Sequence, residues 1–241
     1  MKSKIAYFTL VLTILISTPS FGQFEENNES GFWFTMTNKF QVTDNLYFLN
    51  VAQVRQVEFM KSTRIWLLMP TINYKPNSHI IVGAGYGYLD FLQKGIRPPT
   101  LDYEHRAVEH FTLLSKFGAI KMNQRLMFEQ RWRTNLQGST DYQNRLRYRI
   151  NLDFNLFSIG NNKHILGRIS EELRIRFVSG FHEPAIDQNN FMALFGYKLR
   201  NNSKIYAGYG RDLYQSGNGT FWGDHLLQVW FNYDFDFRKK K

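Results

Sequence analysis

The 241-residue chain carries 30 Lys+Arg against 20 Asp+Glu, a net charge of +10, and no cysteine. The missing thiols exclude a disulfide framework, a thiolate metal site and lipid attachment at cysteine. Aromatic residues make up 17% of a chain whose mean hydropathy is −0.39; that pairing argues against an ordinary soluble core and suits strands with one apolar face and aromatic rims.

At the N-terminus, Lys2 and Lys4 precede an apolar run from Ile5 to Ile16, then Pro19 and the small residues Ser20 and Gly22. This reads as a secretory signal peptide over 1–22, leaving 23–241 as one domain. The run is shorter than the roughly 20 residues of a spanning helix. Removal of Lys2 and Lys4 leaves 28 basic residues against 20 acidic ones, a net +8. In a cytosolic protein that excess would suggest nucleic acid as a partner; export excludes it.

Candidate strands then follow at 31–40, 46–58, 62–75, 79–91, 103–117, 120–135, 143–158, 164–178, 190–200, 203–213 and 224–237. Turn signals such as Pro76-Asn77-Ser78 and Asn201-Asn202-Ser203 separate them. The clearest is 143–158. Arg145, Arg147, Arg149, Asn151, Asp153 and Asn155 alternate with Leu146, Tyr148, Ile150, Leu152, Phe154 and Leu156. Side chains alternate faces along a strand, so one face is polar and the other apolar. Alternation this long fits a strand with lipid outside and a polar lumen inside. The expected fold is all-β, an antiparallel up-and-down transmembrane β-barrel. Single-chain bacterial barrels have even strand numbers, which points to about 12 strands, with 10 as second choice and a further strand sought near Phe24–Glu29. Mixed parity across Asn50, Gln53, Arg55 and Gln56 suggests a bulge.

Connections at 92–102, 136–142, 180–188 and 214–223 look long, and those at 118–122, 159–163 and 201–203 short. Long loops lie outside in outer-membrane barrels, so the expected address is the outer membrane, with lipid as the surrounding partner. The last strand bears Leu227, Val229, Phe231, Tyr233, Phe235 and Phe237 on one parity, which resembles the insertion signal read by the barrel-assembly machinery.

Four short pieces stand in order along the chain: Glu104-His105-Arg106, Arg125 to Trp132, Arg145-Leu146-Arg147-Tyr148-Arg149, and Asp187-Gln188-Asn189. Their order and spacing resemble an uncharacterised family of Gram-negative outer-membrane proteins, domain of unknown function 2490. The resemblance implies a barrel and an outer-membrane address, and no activity.

Inward residues can be paired by argument. If 136–142 is a hairpin loop, Asn135 faces Gln143. Glu129 then opposes Arg149, Arg125 opposes Asp153, Arg131 opposes Arg147 and Arg133 opposes Arg145. On the next strand Arg168, Glu172, Arg174 and Arg176 face inward, with Glu172 near Arg149. On this reading Arg131, Arg133, Arg145, Arg147, Arg174 and Arg176 form an anion-attracting cluster in the outer lumen. Glu104, Arg106, Arg125, Glu129, Arg149, Asp153, Arg168 and Glu172 form a lumenal ion network. Opposed like charges destabilise, so compensation is expected from Glu104, Asp141, Glu183, Asp187 or bound anions. Arg suits bidentate binding of phosphate or carboxylate, and Arg rings select anions in pores. The alternative is a purely structural ion network.

No metal site, cofactor or catalytic motif is expected. The six histidines lack metal spacing, and no Gly-x-Ser-x-Gly elbow occurs near Ser115, Ser170 or His110. Gly83-Ala84-Gly85-Tyr86-Gly87 reads as a small inner strand face. Glu109, Gln130 and Glu171 break the apolar face; a bulge turning them inward is expected, with a protein-contacting patch as the alternative. The leading reading is a porin-like structural or passive barrel that admits or binds small anions, with no enzymatic activity. The alternatives are a membrane-embedded lipid-modifying enzyme and a soluble periplasmic ligand-binding barrel.

Overall fold

The structure, a computed structural model, describes residues 24–92, 101–158, 164–179, 182–200, 202–215 and 221–238. The expected signal peptide, 1–22, lies outside them. The described chain is all strand: β1 Phe24–Gln41, β2 Leu46–Val57, β3 Ser62–Tyr74, β4 Ile80–Phe91, β5 Leu101–Phe117, β6 Ile120–Asn135, β7 Thr140–Ser158, β8 His164–Ser179, β9 His182–Arg200, β10 Ser203–Gln215 and β11 Phe221–Asp236. Sequential neighbours pair antiparallel, and the sheet closes into a barrel by pairing β1 with β11.

The strand number is eleven rather than an even one. An odd meander brings its first and last strands together pointing the same way, so the β1–β11 seam is parallel, from Ser30 against His225 to Gln41 against Asp236. The segment near Phe24–Glu29 is the start of β1 and not a twelfth strand. One end of the barrel carries the connections at 58–61, 92–100, 136–139, 180–181 and 216–220; the other carries 42–45, 75–79, 118–119, 159–163 and 201–202. The expected long loop at 180–188 is mostly strand, because Ser179 already pairs with His182.

Period-two patterning sets the faces. On β3, Trp66, Leu68, Ile72 and Tyr74 are exposed and alternate with buried Ile65, Leu67, Met69, Thr71 and Asn73. Among the described residues the outward face is largely apolar, with Tyr86, Phe111, Leu126, Trp132, Tyr148, Phe195 and Leu227 all exposed. The interior is divided. Ile65, Leu67, Met69, Leu89, Phe91, Leu101, Val108 and Met127 form a buried apolar quadrant on β3–β6. Arg and Glu residues from β5–β8 form the facing polar one.

Small residues make this packing possible. Gly83 faces inward, where an added Cβ would stand 2.6 Å from Asn73 Oδ1 and 2.9 Å from the Ile72 carbonyl oxygen, and would meet His110 Nε2. The space is taken by a hydrogen bond between His110 Nε2 and Asn73 Oδ1, 2.8 Å long. Glu109, Gln130 and Glu171 stay on the outward face, since no register shift occurs beside them. The expected bulge is therefore absent there, and Asn189 donates to Glu171 on the outer surface. Glu109 sits opposite Phe128, and Gln130 opposite Ala107.

Candidate functional site

The turn between β6 and β7 fixes the register of the charged residues. Thr134 pairs with Thr140, and the Asn135 side-chain oxygen accepts from the backbone N–H groups of Gln137 and Ser139 at 3.0 and 2.9 Å. Gly138 supplies the left-handed position, with φ +81°, which costs glycine little. The loop is thus tighter than 136–142, and the expected pairing shifts by four residues. Glu129 opposes Arg145 rather than Arg149, Arg125 opposes Arg149 rather than Asp153, Arg131 opposes Gln143, and Arg133 opposes Asp141. Across β7–β8 the pairs are Arg145 with Arg176, Arg147 with Arg174, Arg149 with Glu172, and Asp153 with Arg168.

Four carboxylates interleave with these arginines. Glu104, with no exposed surface, accepts from Arg106 Nε at 2.5 Å and from Arg131 Nε and Nη2 at 2.6 and 2.9 Å. Glu129 is equally buried. It accepts from Arg145 Nε and Arg147 Nη1, both at 2.6 Å, and Arg106 Nη1 lies at 3.5 Å. Glu172 accepts from Arg147 at 2.7 Å, Arg174 at 2.8 Å and Arg125 at 3.0 Å. Asp187, on β9, accepts from Arg145 Nη1 at 3.0 Å and lies 3.8 Å from Arg131. Buried charges persist only when paired and hydrogen-bonded, and this lattice meets that condition for most of them.

Nearer the other end, Asp153 accepts from Arg168 Nε at 2.6 Å, and that guanidinium lies 4.7 Å from the Tyr206 ring centroid. Arg149 opposes Glu172 in register but its Nε has no hydrogen-bond partner. The expected neutralisation of Arg149 by Glu129 fails because the register differs.

Above this lattice lies a cavity of about 460 Å³ at the barrel end that carries the 92–100 connection. Arg131, Arg133, Arg145, Arg147, Arg174 and Arg176 all line it. The lining also includes Arg106, placed in the ion network from sequence, and Arg55 and Arg64, which the sequence reading missed. Arg55 was hidden by the mixed parity of β2; its guanidinium lies 4.1 Å from the Trp33 ring centroid. Arg64 is the extra residue of a bulge, where pairing steps from Arg55–Ile65 to Gln56–Thr63. The bulge turns Arg64 inward, 4.0 Å from Asp224. A bulge re-aims a side chain that strict alternation would place outside.

Charge in the cavity does not cancel. Among the described residues nine arginines and three aspartates line it; with Glu104, Glu129 and Glu172 counted, nine positive charges meet six negative ones. Four of the nine, Arg64, Arg133, Arg147 and Arg176, have a buried Nε with no hydrogen-bond partner. Arg133 is 4.0 Å from Glu104 and 3.9 Å from Asp141, and 22% of its side chain is exposed. Among the described residues, Arg176 hydrogen-bonds the Gln215 side chain, at 3.4 Å.

Below the lattice the lumen is closed. Gln228 and Glu129 have no exposed surface, Met127, Val108 and Ser170 have 1%, and Thr35 has 2%. A second, smaller cavity of about 140 Å³ lies toward the opposite end, between Thr37, Lys39, Leu49, Asn202, Lys204, Asn232 and Asp234. His110 hydrogen-bonds Asn73 and Thr112, and neither Ser115 nor Ser170 is among its partners.

A family model described as "Protein of unknown function (DUF2490)" matches residues 30–222, the greater part of the chain. The chain belongs to the DUF2490 family. The match runs from β1 into β11, so it covers the barrel wall, the ion lattice and nearly all of the cavity lining. No curated protein and no solved structure matches the chain. The DUF2490 description states no activity, so a role must be argued from the cavity itself.

Proposed function

We propose that this chain is a Gram-negative outer-membrane β-barrel of structural or passive role, closed at its waist, whose arginine-lined basin holds small anions. The basin reading is carried by one observation: among the described residues nine arginines line a single cavity, against three lining aspartates and the glutamates Glu104, Glu129 and Glu172 beneath. An oxyanion in the cavity would offset that excess through charge-assisted hydrogen bonds. Low-dielectric walls focus the field of the excess positive charge.

The membrane reading is supported by the apolar outward face and by aromatic clusters at both ends. Trp132 and Tyr142 stand 5.5 Å apart near the basin, and Phe40 and Phe235 are stacked 4.9 Å apart at the far end. Such girdles suit membrane–water interfaces. Strands β5 to β9 are 16 to 19 residues long, beyond the roughly 9–11 residues that a spanning strand needs. In this reading the basin wall projects above the bilayer. The exported chain would be inserted by the barrel-assembly machinery through β11, whose Phe231, Tyr233 and Phe235 lie on the outward parity. The reading assigns no catalysis and no cofactor.

Cell fractionation and calorimetry test the two parts separately. The chain should sediment with the outer membrane and migrate heat-modifiably in detergent gels; recovery as a soluble periplasmic protein refutes the address. Purified barrel should bind sulfate at low salt, and Arg133→Gln with Arg176→Gln should weaken that binding about tenfold or more. Absence of sulfate binding to the unmodified barrel refutes the basin.

A further inference from the structure

The cavity has two chemically different walls. Apart from the arginines of β6–β8, the lining includes Ile65 of β3, Leu89 and Phe91 of β4, Leu101 of β5 and Leu226 of β11, with Arg55 as the cross-strand neighbour of Ile65. The first four belong to the buried apolar quadrant, and their exposures are 2–6%. A basin for inorganic anions alone has no use for that wall, because a fully hydrated sulfate or phosphate gains nothing from contact with it. The apolar side chains would instead hold poorly bonded water, which a nonpolar ligand surface displaces favourably. The cavity volume, about 460 Å³, falls in the range of small-molecule sites, roughly 300–1,000 Å³. Such sites combine apolar walls with a few oriented polar groups.

The arrangement also has a direction. Neither Arg133 nor Arg176 is held closely by a carboxylate of the described residues: the nearest to Arg133 stand at 3.9 and 4.0 Å, and Arg176 hydrogen-bonds a glutamine. The closed waist beneath means that a ligand enters and leaves through one end.

We propose that the basin takes an amphipathic organic anion, with a carboxylate or phosphate head on an aromatic or short acyl body. The head is held by Arg133 and Arg176, and the body lies against Leu89, Phe91 and Leu101. This rests on the anion-basin reading above and names the ligand class it serves.

Calorimetric titration of the purified barrel in non-ionic detergent with phenyl phosphate, inorganic phosphate and benzyl alcohol tests it. Phenyl phosphate should bind about tenfold tighter than phosphate, the gain expected from burying a large part of the ring, and benzyl alcohol should show no saturable binding. Leu89→Gln should remove the advantage of phenyl phosphate and leave phosphate binding unchanged. Equal affinity for phenyl phosphate and phosphate overturns this proposal while the anion basin stands. Benzyl alcohol binding as tightly as phenyl phosphate overturns this proposal, and no binding of either anion overturns both. The ligand series on the unmodified barrel decides the matter even if Leu89→Gln fails to fold.

Discussion

Glu129 of β6 stands where the two neighbouring strands bring positive charge together: Arg106 from β5, Arg145 and Arg147 from β7. Its carboxylate has no contact with solvent, so the pairs are not screened. Removing one member of a buried ion cluster leaves the others uncompensated, at a cost of about 3–5 kcal/mol. Glu129→Gln should therefore lower the unfolding free energy from urea titration, followed by gel mobility, by an amount of that order. Asp141→Asn should leave it unchanged, since Asp141 is 72% exposed and 3.9 Å from Arg133, and exposed pairs contribute little. Unaltered stability of Glu129→Gln would mean that water replaces the carboxylate and that the lattice is looser than its distances imply. Gly83 offers a steric counterpart. Gly83→Ala would push a methyl group toward the His110–Asn73 hydrogen bond. Overpacking of this kind costs about 1–3 kcal/mol, to be read as a lowered thermal midpoint.

At the level of strands, direct opposition of Thr134 and Thr140, with their hydroxyls 3.0 Å apart, is open to covalent proof. In a chain free of cysteine, Thr134→Cys with Thr140→Cys should oxidise to a disulfide. Thr134→Cys with Asn144→Cys, the neighbours expected from the longer loop, should not. The reverse outcome restores the longer loop. This contrast shows where sequence is informative. Strand positions were legible because burial of one face imposes a two-residue period, and all eleven expected segments overlap β1 to β11. Parity of the lumenal arginines on β6, β7 and β8 was legible for the same reason. Register across β6–β7 was not, because it depends on how tightly Asn135 and Gly138 fold the turn, which alternation does not encode. Arg64 was not legible either, since a bulge reverses parity locally without a composition signal. Compensation of the arginines by Glu104 and Asp187 could be guessed from charge alone, but their partners follow only from three-dimensional neighbourhood.

At the scale of the molecule, a filled waist separates two end cavities. Eleven strands enclose a lumen that side chains can fill, and here Gln228, Glu129 and Met127 fill it. The barrel should give no steady conductance in planar bilayers, at high or low salt. Sustained single-channel currents from the unmodified protein would show that the waist opens.

The parallel seam also bears on how such a wall could be assembled. Every neighbouring pair except β1–β11 joins strands consecutive in the chain, so ten hairpin contacts can form locally, with short closure loops. The seam alone joins the two extremes of the sequence, and parallel pairing is slightly weaker per residue. An unclosed sheet would expose two backbone edges of matching direction, each a template for another strand. Ring closure is therefore the most non-local event of folding in this topology. The same line is where the wall could part toward its surroundings without undoing a hairpin.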